Sequence, residues 1–502
     1  MTNPLYDRLF GRHAGRDTTF LILPDGTRMT HGAFLDRAGR FANALFGLGL
    51  KTGDRVAVQI DKSADALAVY AACARTGLVF LPLNTAYTAA EVDYFVSNSG
   101  AGLLIAAPSK AEALRSVANR YHARLETLDD AGGGSLSAIA AGQSPDFDTV
   151  DRDLNDLAAI LYTSGTTGRS KGAMLSQGNL ISNAEVLRDH WRFTADDVLL
   201  HALPIFHTHG LFVGTNISLL AGGAMIFLPK LDVDALIKWM PQATAMMGVP
   251  TFYTRLLDDP RLDHALTATM RLFVSGSAPL LADTHRQFFD RTGHRILERY
   301  GMTETNMNTS NPYDGDRRPG TVGTALPGVE AKVCGPDGTE LPRGEVGILE
   351  VRGRNVFKGY WQMPEKTREE LREDGFFITG DLATMGEDGY VTIVGRGKDL
   401  VISGGYNVYP KEVEEAIDAL PGVLESAVIG VPHPDLGEAP MAVVVPQKGA
   451  HLSADAILAG IAPSLARFKQ PRRIEIVEAL PRNTMGKVQK AQLRAQYKDS
   501  FQ

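Results

Sequence analysis

Tyr162-Thr163-Ser164-Gly165-Thr166-Thr167-Gly168-Arg169-Ser170-Lys171-Gly172 follows directly on the apolar run 157–161. A run of that length suits a buried strand. Behind it stand three glycines, five aliphatic hydroxyls and two cations. Glycine lets a backbone turn its N–H groups toward an anion, and hydroxyls and cations add donors. The expected guest is a polyphosphate. The stretch is not a P-loop, because Gly168 is followed by Arg169 and not by Lys-Ser/Thr.

Strand-like and helix-like segments alternate around this loop. Strands are expected at 55–60, 103–107, 198–202 and 272–275, and helices at 63–74, 180–190 and 281–291. This is an α/β pattern with largely parallel sheets. From about 327 to 395 short strands separated by Gly-containing turns predict a small β-rich subdomain. After Arg396-Gly397-Lys398 an α+β unit of about a hundred residues begins, a normal domain size. Its expected elements are a helix at 412–420 and strands at 442–445 and 474–477.

With 502 residues, two or more domains are expected. Hydrophobic content of 44% and charged content of 22% describe an ordinary globular protein, and a net charge of −7 points to neither nucleic acid nor an acidic membrane surface. Only Cys73 and Cys334 are present, so a disulfide framework is not expected, and no apolar leader follows Met1. The expected location is cytoplasmic. The stretch 210–228 is uncharged, but Gly222-Gly223 splits it, so it reads as a buried helix, a turn and a strand, not a membrane span. Between 465 and 498 nine Lys or Arg face two acids; beside a polyphosphate loop this reads as a cationic cover, with nucleic-acid binding the weaker use.

Four further motifs lie in order along the chain. They are Arg299-Tyr300-Gly301-Met302-Thr303-Glu304, Thr379-Gly380-Asp381, Gly395-Arg396-Gly397-Lys398-Asp399 and Pro481-Arg482-Asn483-Thr484-Met485-Gly486-Lys487. Together with the 162–172 loop they resemble the acyl-adenylate-forming superfamily of acyl- and aryl-CoA synthetases, luciferases and peptide-synthetase adenylation domains, over nearly the whole chain. The resemblance implies an α/β fold: a large N-terminal domain (1–396) of two α/β sheet subdomains plus the β-rich subdomain, a hinge at 397–398 centred on Lys398, and a small mobile α+β lid (399–502).

It also implies roles. Thr163, Ser164, Gly165, Thr166, Thr167, Gly168 and Lys171 would embrace the ATP phosphates, with Thr163 among the catalytic groups. Glu304 would hold Mg²⁺, a hard cation that prefers oxygen. Tyr300 would stack on adenine beside Ser277, Ala278 and Pro279, with Gly301, Met302 and Thr303 completing the nucleotide site. Asp381 would accept from the ribose hydroxyls, helped by Arg396. Lys487 would bridge the attacking carboxylate and the α-phosphate. After lid rotation about Lys398 a thiol would attack; coenzyme A is the expected acceptor because no carrier domain follows, and Gly404 and Gly405 would border its pantetheine arm.

Polar residues crowd the segments that the family uses to line its acyl pocket. This is similar to the malonyl-CoA synthetase subgroup, and implies that Arg286 binds the distal carboxylate of malonate, with Ser310 assisting and His207 near the acyl group. Arg suits forked carboxylate binding. Methylmalonate is an expected weaker substrate. The competing readings are a short-chain or aryl acyl-CoA synthetase and a luciferase-like adenylating oxygenase. Acylation of Lys487 by a lysine acyltransferase would be an off-switch.

Overall fold

In a computed structural model of the chain, residues 2–163, 170–404, 406–483 and 486–501 are described. The run at 157–161 lies inside a strand, Leu157–Thr163, whose middle four residues are buried. The chain returns antiparallel as Lys171–Ser176, the register closing on the pair Thr163–Lys171. The expected anion loop lies between these two antiparallel strands, and its residues Ser164, Gly165, Thr166, Thr167, Gly168 and Arg169 lie outside the described residues.

This pair edges a six-stranded sheet in the order Arg124–Thr127, Leu103–Ala106, Arg55–Gln59, Val79–Pro82, Leu157–Thr163, Lys171–Ser176, parallel except for the last pair. Alanine-rich Ala64–Thr76, capped by Ser63 and closed by Gly77 at φ 69°, is buried along almost its whole length.

The second, nine-stranded sheet has a parallel block in the order Leu297–Met302, Leu272–Ser275, Ala245–Gly248, Val198–His201, Ala224–Phe227, Thr19–Ile22. Antiparallel strands flank both ends. One apolar core runs through both sheets. In open α/β sheets ligands gather beyond the carboxyl ends of the strands. Here those ends lead into 276–279, 202–209 and 303–305. The 210–228 stretch forms a π-helix (His209–Thr215), an α-helix (Asn216–Ala221) and the strand Ala224–Phe227. No helix among the described residues is long and apolar enough to cross a membrane.

Four antiparallel strands, Val329–Cys334, Gly347–Gly353, Phe377–Met385 and Val391–Arg396, form the β-rich part. A single 3₁₀ turn, Gly397–Asp399, separates it from the C-terminal sheet, which is built on the long hairpin Val423–His433 and Gly437–Pro446. Two apolar clusters cover that sheet. The cationic cover expected at 465–498 needs correction. Lys469, Arg473, Arg482, Lys490 and Arg494 pair with Glu412, Glu475, Glu425, Glu414 and Asp399, so most of the charge serves the C-terminal unit's own packing.

Candidate active site

Arg299 occupies the centre of the strand Leu297–Met302, between the nine-stranded block and its antiparallel flank. Its side chain is buried (3% exposed), yet Nε and Nη2 have no hydrogen-bond partner among the described residues. Burial lowers the guanidinium to about 9, which still leaves it charged at neutral pH. An unpaired buried cation is costly. Gly276 makes room for it: a Cβ there would lie 2.5 Å from the Arg299 Cζ.

Around Arg299 the polar atoms are similarly unspent. Thr208 Oγ1, His209 Nε2 and Ser275 Oγ are buried without partners among the described residues. Ser277, held at φ 70°, places its Oγ 3.3 Å from His209 Nδ1. Burial, then the charges of Lys487 and Arg299, lowers His207 to about 3. Burial and Arg299 lower His209 as well. Both imidazoles are therefore neutral, flanked by two cations. Lys487 reaches this group from the C-terminal unit, where burial, then repulsion from Arg396, lowers its amine to about 8. This is a polar pocket with a surplus of positive charge.

Beside it lies a second set of groups. Tyr300 donates its hydroxyl to Asp381 Oδ2 at 2.6 Å, and Arg396 Nε meets Asp381 Oδ1 at 3.2 Å. Asp381 and Arg396 are register partners on neighbouring strands, which sets this geometry. Gly301, Met302 and Thr303 continue from Tyr300, half-buried, and Ala278 is half-buried beside the exposed Pro279.

A third set surrounds Glu304, a buried carboxylate whose ionisation is opposed first by burial. Tyr360 Oη lies 3.1 Å from Glu304 Oε1 and 2.5 Å from Glu370 Oε2. Lys171 Nζ donates to Tyr360 Oη at 3.1 Å and pairs with Glu370 at 3.0 Å. Tyr360 arrives because backbone bonds zip 358–361 onto the Lys171–Ser176 strand, Trp361 N to Gly172 O at 2.8 Å among them. Among the described residues no three carboxylates or imidazoles gather to hold a metal, so a hard divalent cation at Glu304 would take most of its oxygen shell from phosphate and water, and its charge would compensate this buried carboxylate. Tyr360 and Glu370 were not singled out in the sequence; only the fold brings them to Lys171.

Two expected residues need correction. Arg286 does not enter the pocket. It lies on the outer face of the helix Ala282–Thr292, 63% exposed, next to Asp283. That helix buries Thr284, His285, Phe288 and Thr292, so position 286 points the other way. Ser310 is buried and is the strand partner of Arg299, but its hydroxyl is already engaged: it donates to Asn311 O at 2.7 Å and accepts from Trp191 Nε1 at 3.0 Å. No donor is left for a substrate carboxylate. Lys398 sits in the 3₁₀ turn between the sheets, Gly404 is exposed at φ 58°, and Gly405 lies outside the described residues.

Residues 11–361 match the AMP-binding enzyme family, and 412–487 match the AMP-binding enzyme C-terminal domain. The chain belongs to the AMP-binding enzyme family. Within it, the chain is similar to feruloyl-CoA synthase of Amycolatopsis sp., 36% identical over 94% of both chains. It is similar to malonate–CoA ligase of Arabidopsis thaliana, 35% identical over 89% of this chain and 79% of that one. Among solved structures it resembles ATP-bound MatB from Rhodopseudomonas palustris, at 58% identity, full coverage of both chains and a TM-score of 0.98. Against apo MatB from the same organism, at the same identity and coverage, the TM-score is 0.86. The arrangement described above is thus closer to that of the ATP-bound form.

Proposed function

We propose that this chain is an ATP-dependent malonyl-CoA synthetase, converting malonate, ATP and coenzyme A to malonyl-CoA, AMP and diphosphate through a malonyl-adenylate. The observation that carries this reading is the buried guanidinium of Arg299, with two nitrogens unpaired beside His207 and within the field of Lys487. A monocarboxylate would leave one cation of the pair unanswered. A short dicarboxylate answers both. The similarity to malonate–CoA ligase and to ATP-bound MatB supports the same assignment.

In the first half-reaction one carboxylate of malonate lies against Arg299, and the other attacks the α-phosphorus of ATP. A new O–P bond forms, the bond to the bridging oxygen breaks, and diphosphate leaves. The step needs positioning and charge neutralisation more than covalent help. Lys487 places its ammonium where the two anions meet. Lys171, with Thr163 at the end of its partner strand, faces the leaving diphosphate. ATP must then take Lys171 from Glu370. Mg²⁺, held through Glu304, supplies further neutralisation of the phosphate charge when bound. Tyr300 and Asp381 hold the nucleoside, the phenol keeping the carboxylate oriented toward the ribose.

In the second half-reaction the lid turns about Lys398, Lys487 withdraws, and the coenzyme A thiol attacks the acyl carbon past Gly404, releasing AMP. Acylation of Lys487 by a lysine acyltransferase would remove the charge that the first half-reaction needs. A cytoplasmic enzyme, where coenzyme A and ATP abound, fits this chemistry.

Pyrophosphate release should be compared for malonate, methylmalonate, acetate, octanoate and ferulate, with and without coenzyme A. Malonate should lead, methylmalonate should follow, and the monocarboxylates should be very poor. A site that must pair a buried polar group rejects the analogue lacking the partner by roughly 10⁴-fold. Ferulate or acetate turning over as fast as malonate would sink the reading.

A further inference from the structure

Lys487 must be held in place, and its own contacts do not explain how. It sits in a tight reversal between Pro481 and Gln489. Asn483 N donates to Lys487 O at 2.9 Å, and Lys487 N donates to Asn483 Oδ1 at 2.9 Å. Gly486 adopts φ 74°, which favours glycine, and Arg482 bridges Val488 across the turn. These bonds shape the turn, and Val488 on one arm, with Leu480 just before the other, packs on the apolar cluster of Ile429, Val431, Met441 and Val443. Apolar packing of this kind holds the arms without fixing their direction, and two ion pairs flank the turn. On one shoulder Arg482 donates to Gly486 O and pairs with Glu425, from the strand Val423–His433. On the other shoulder Lys490 Nζ lies 2.6 Å from Glu414 Oε1, on the helix Pro410–Asp418. Glu414 is itself fixed, accepting from Val428 N at 2.7 Å.

We propose that Glu414 and Glu425 are positioning residues for Lys487, bracing from both sides the turn that carries it. This rests on the adenylation role given to Lys487 above. Their side chains are only 16% and 25% exposed, so these pairs are less screened than surface ones. The carboxylates are also crowded: burial, and then the charge of Glu414 and Glu425, pushes the neighbouring Asp418 up to about 8. Arg482 and Lys490 relieve that crowding, which draws each shoulder of the turn onto the sheet. A flexible amine that must meet reacting atoms gains rate from such preorganisation.

The test uses Glu414→Gln, Glu425→Gln and the double variant in the full chain. Malonate-dependent ATP–pyrophosphate exchange is measured beside thioester formation from supplied malonyl-AMP and coenzyme A. Exchange in the double variant should fall between about tenfold and a hundredfold, the penalty of a misplaced group, while thioester formation holds. Exchanging the charges of one pair, Glu425→Arg with Arg482→Glu, should recover part of the exchange lost in Glu425→Gln. Equal loss in both half-reactions would mean that the pairs only fold the C-terminal unit. No loss in either would also overturn the proposal. Lys487→Ala is run in parallel: if it keeps exchange, the role of Lys487 fails, whereas its loss beside an unaffected double variant fails the bracing alone.

Discussion

Gly276 and Arg299 are fitted to one another: a methyl group on residue 276 would overlap the guanidinium, 2.5 Å from Cζ and 2.6 Å from Nη1. The absence of a side chain at 276 is what lets the cation lie flat against the turn after Leu272–Ser275. Gly276→Ala should therefore push the Arg299 head group aside without removing it. The expected result is a fall in kcat/KM for malonate of about tenfold to a hundredfold, with the fold intact by circular dichroism. Unaltered malonate kinetics would show that the guanidinium does not act where it lies.

Arg299→Met carries the argument from position to energy. The guanidinium is buried and has no carboxylate partner among the described residues. Replacing even a buried ion pair with apolar groups of similar volume is often neutral or stabilising by about 1–4 kcal/mol, and a buried cation without a partner is costlier to keep. The variant should be at least as stable as the parent in urea, and inactive with malonate. Stability bought at the expense of activity is the signature of a residue kept for binding. A strongly destabilised variant would instead make Arg299 structural.

Arg286→Ala should do almost nothing. The side chain is 63% exposed and its contact with Asp283, three residues back on the same helix, spans 3.4 Å. Such pairs contribute about 0.3–0.5 kcal/mol at most. Malonate kinetics and melting temperature should match the parent. A loss of dicarboxylate preference in this variant would return the role to Arg286.

These two arginines show what the sequence could and could not tell. The helix at 281–291 was expected from the sequence, and helical geometry places 286 opposite the face of 284, 285 and 288, which the structure buries. The face of Arg286 was thus readable, and its outward direction outweighs a resemblance at a single position. Arg299 was in view inside the 299–304 motif, but whether a charged residue in a strand is buried depends on the strand beside it. That is set by the long-range pairing of 297–302 with 272–275 on one side and 306–310 on the other. The parallel blocks were similarly legible from alternating apolar runs, while the strand order, and with it the meeting of Tyr360, Glu370 and Lys171, depends on contacts far apart in sequence. The charge surplus at 465–498 misled because its partners, Glu412, Glu414, Glu425 and Asp399, lie outside that stretch.

Lys487 gives a pH dependence with a definite sign. Its amine is lowered to about 8, first by burial and then by Arg396, so the free enzyme holds the ammonium below that pH and loses it above. In the role proposed for Lys487, the cation is the form that neutralises the meeting anions. The value of kcat/KM for malonate in pyrophosphate exchange should consequently fall on the alkaline side with a midpoint near 8, since kcat/KM reports groups of the free enzyme. Thioester formation from supplied malonyl-AMP should lack that falling limb, because in the proposed second half-reaction Lys487 withdraws and rising pH favours the attacking thiolate. Lys487→Ala should abolish exchange and leave the second half-reaction with the parent's pH profile. Arg299, lowered to about 9, can add a further fall at higher pH; a limb with the midpoint near 8 common to both half-reactions, or persisting in the Ala variant's residual exchange, would assign that titration to another group and remove the ammonium from the first step.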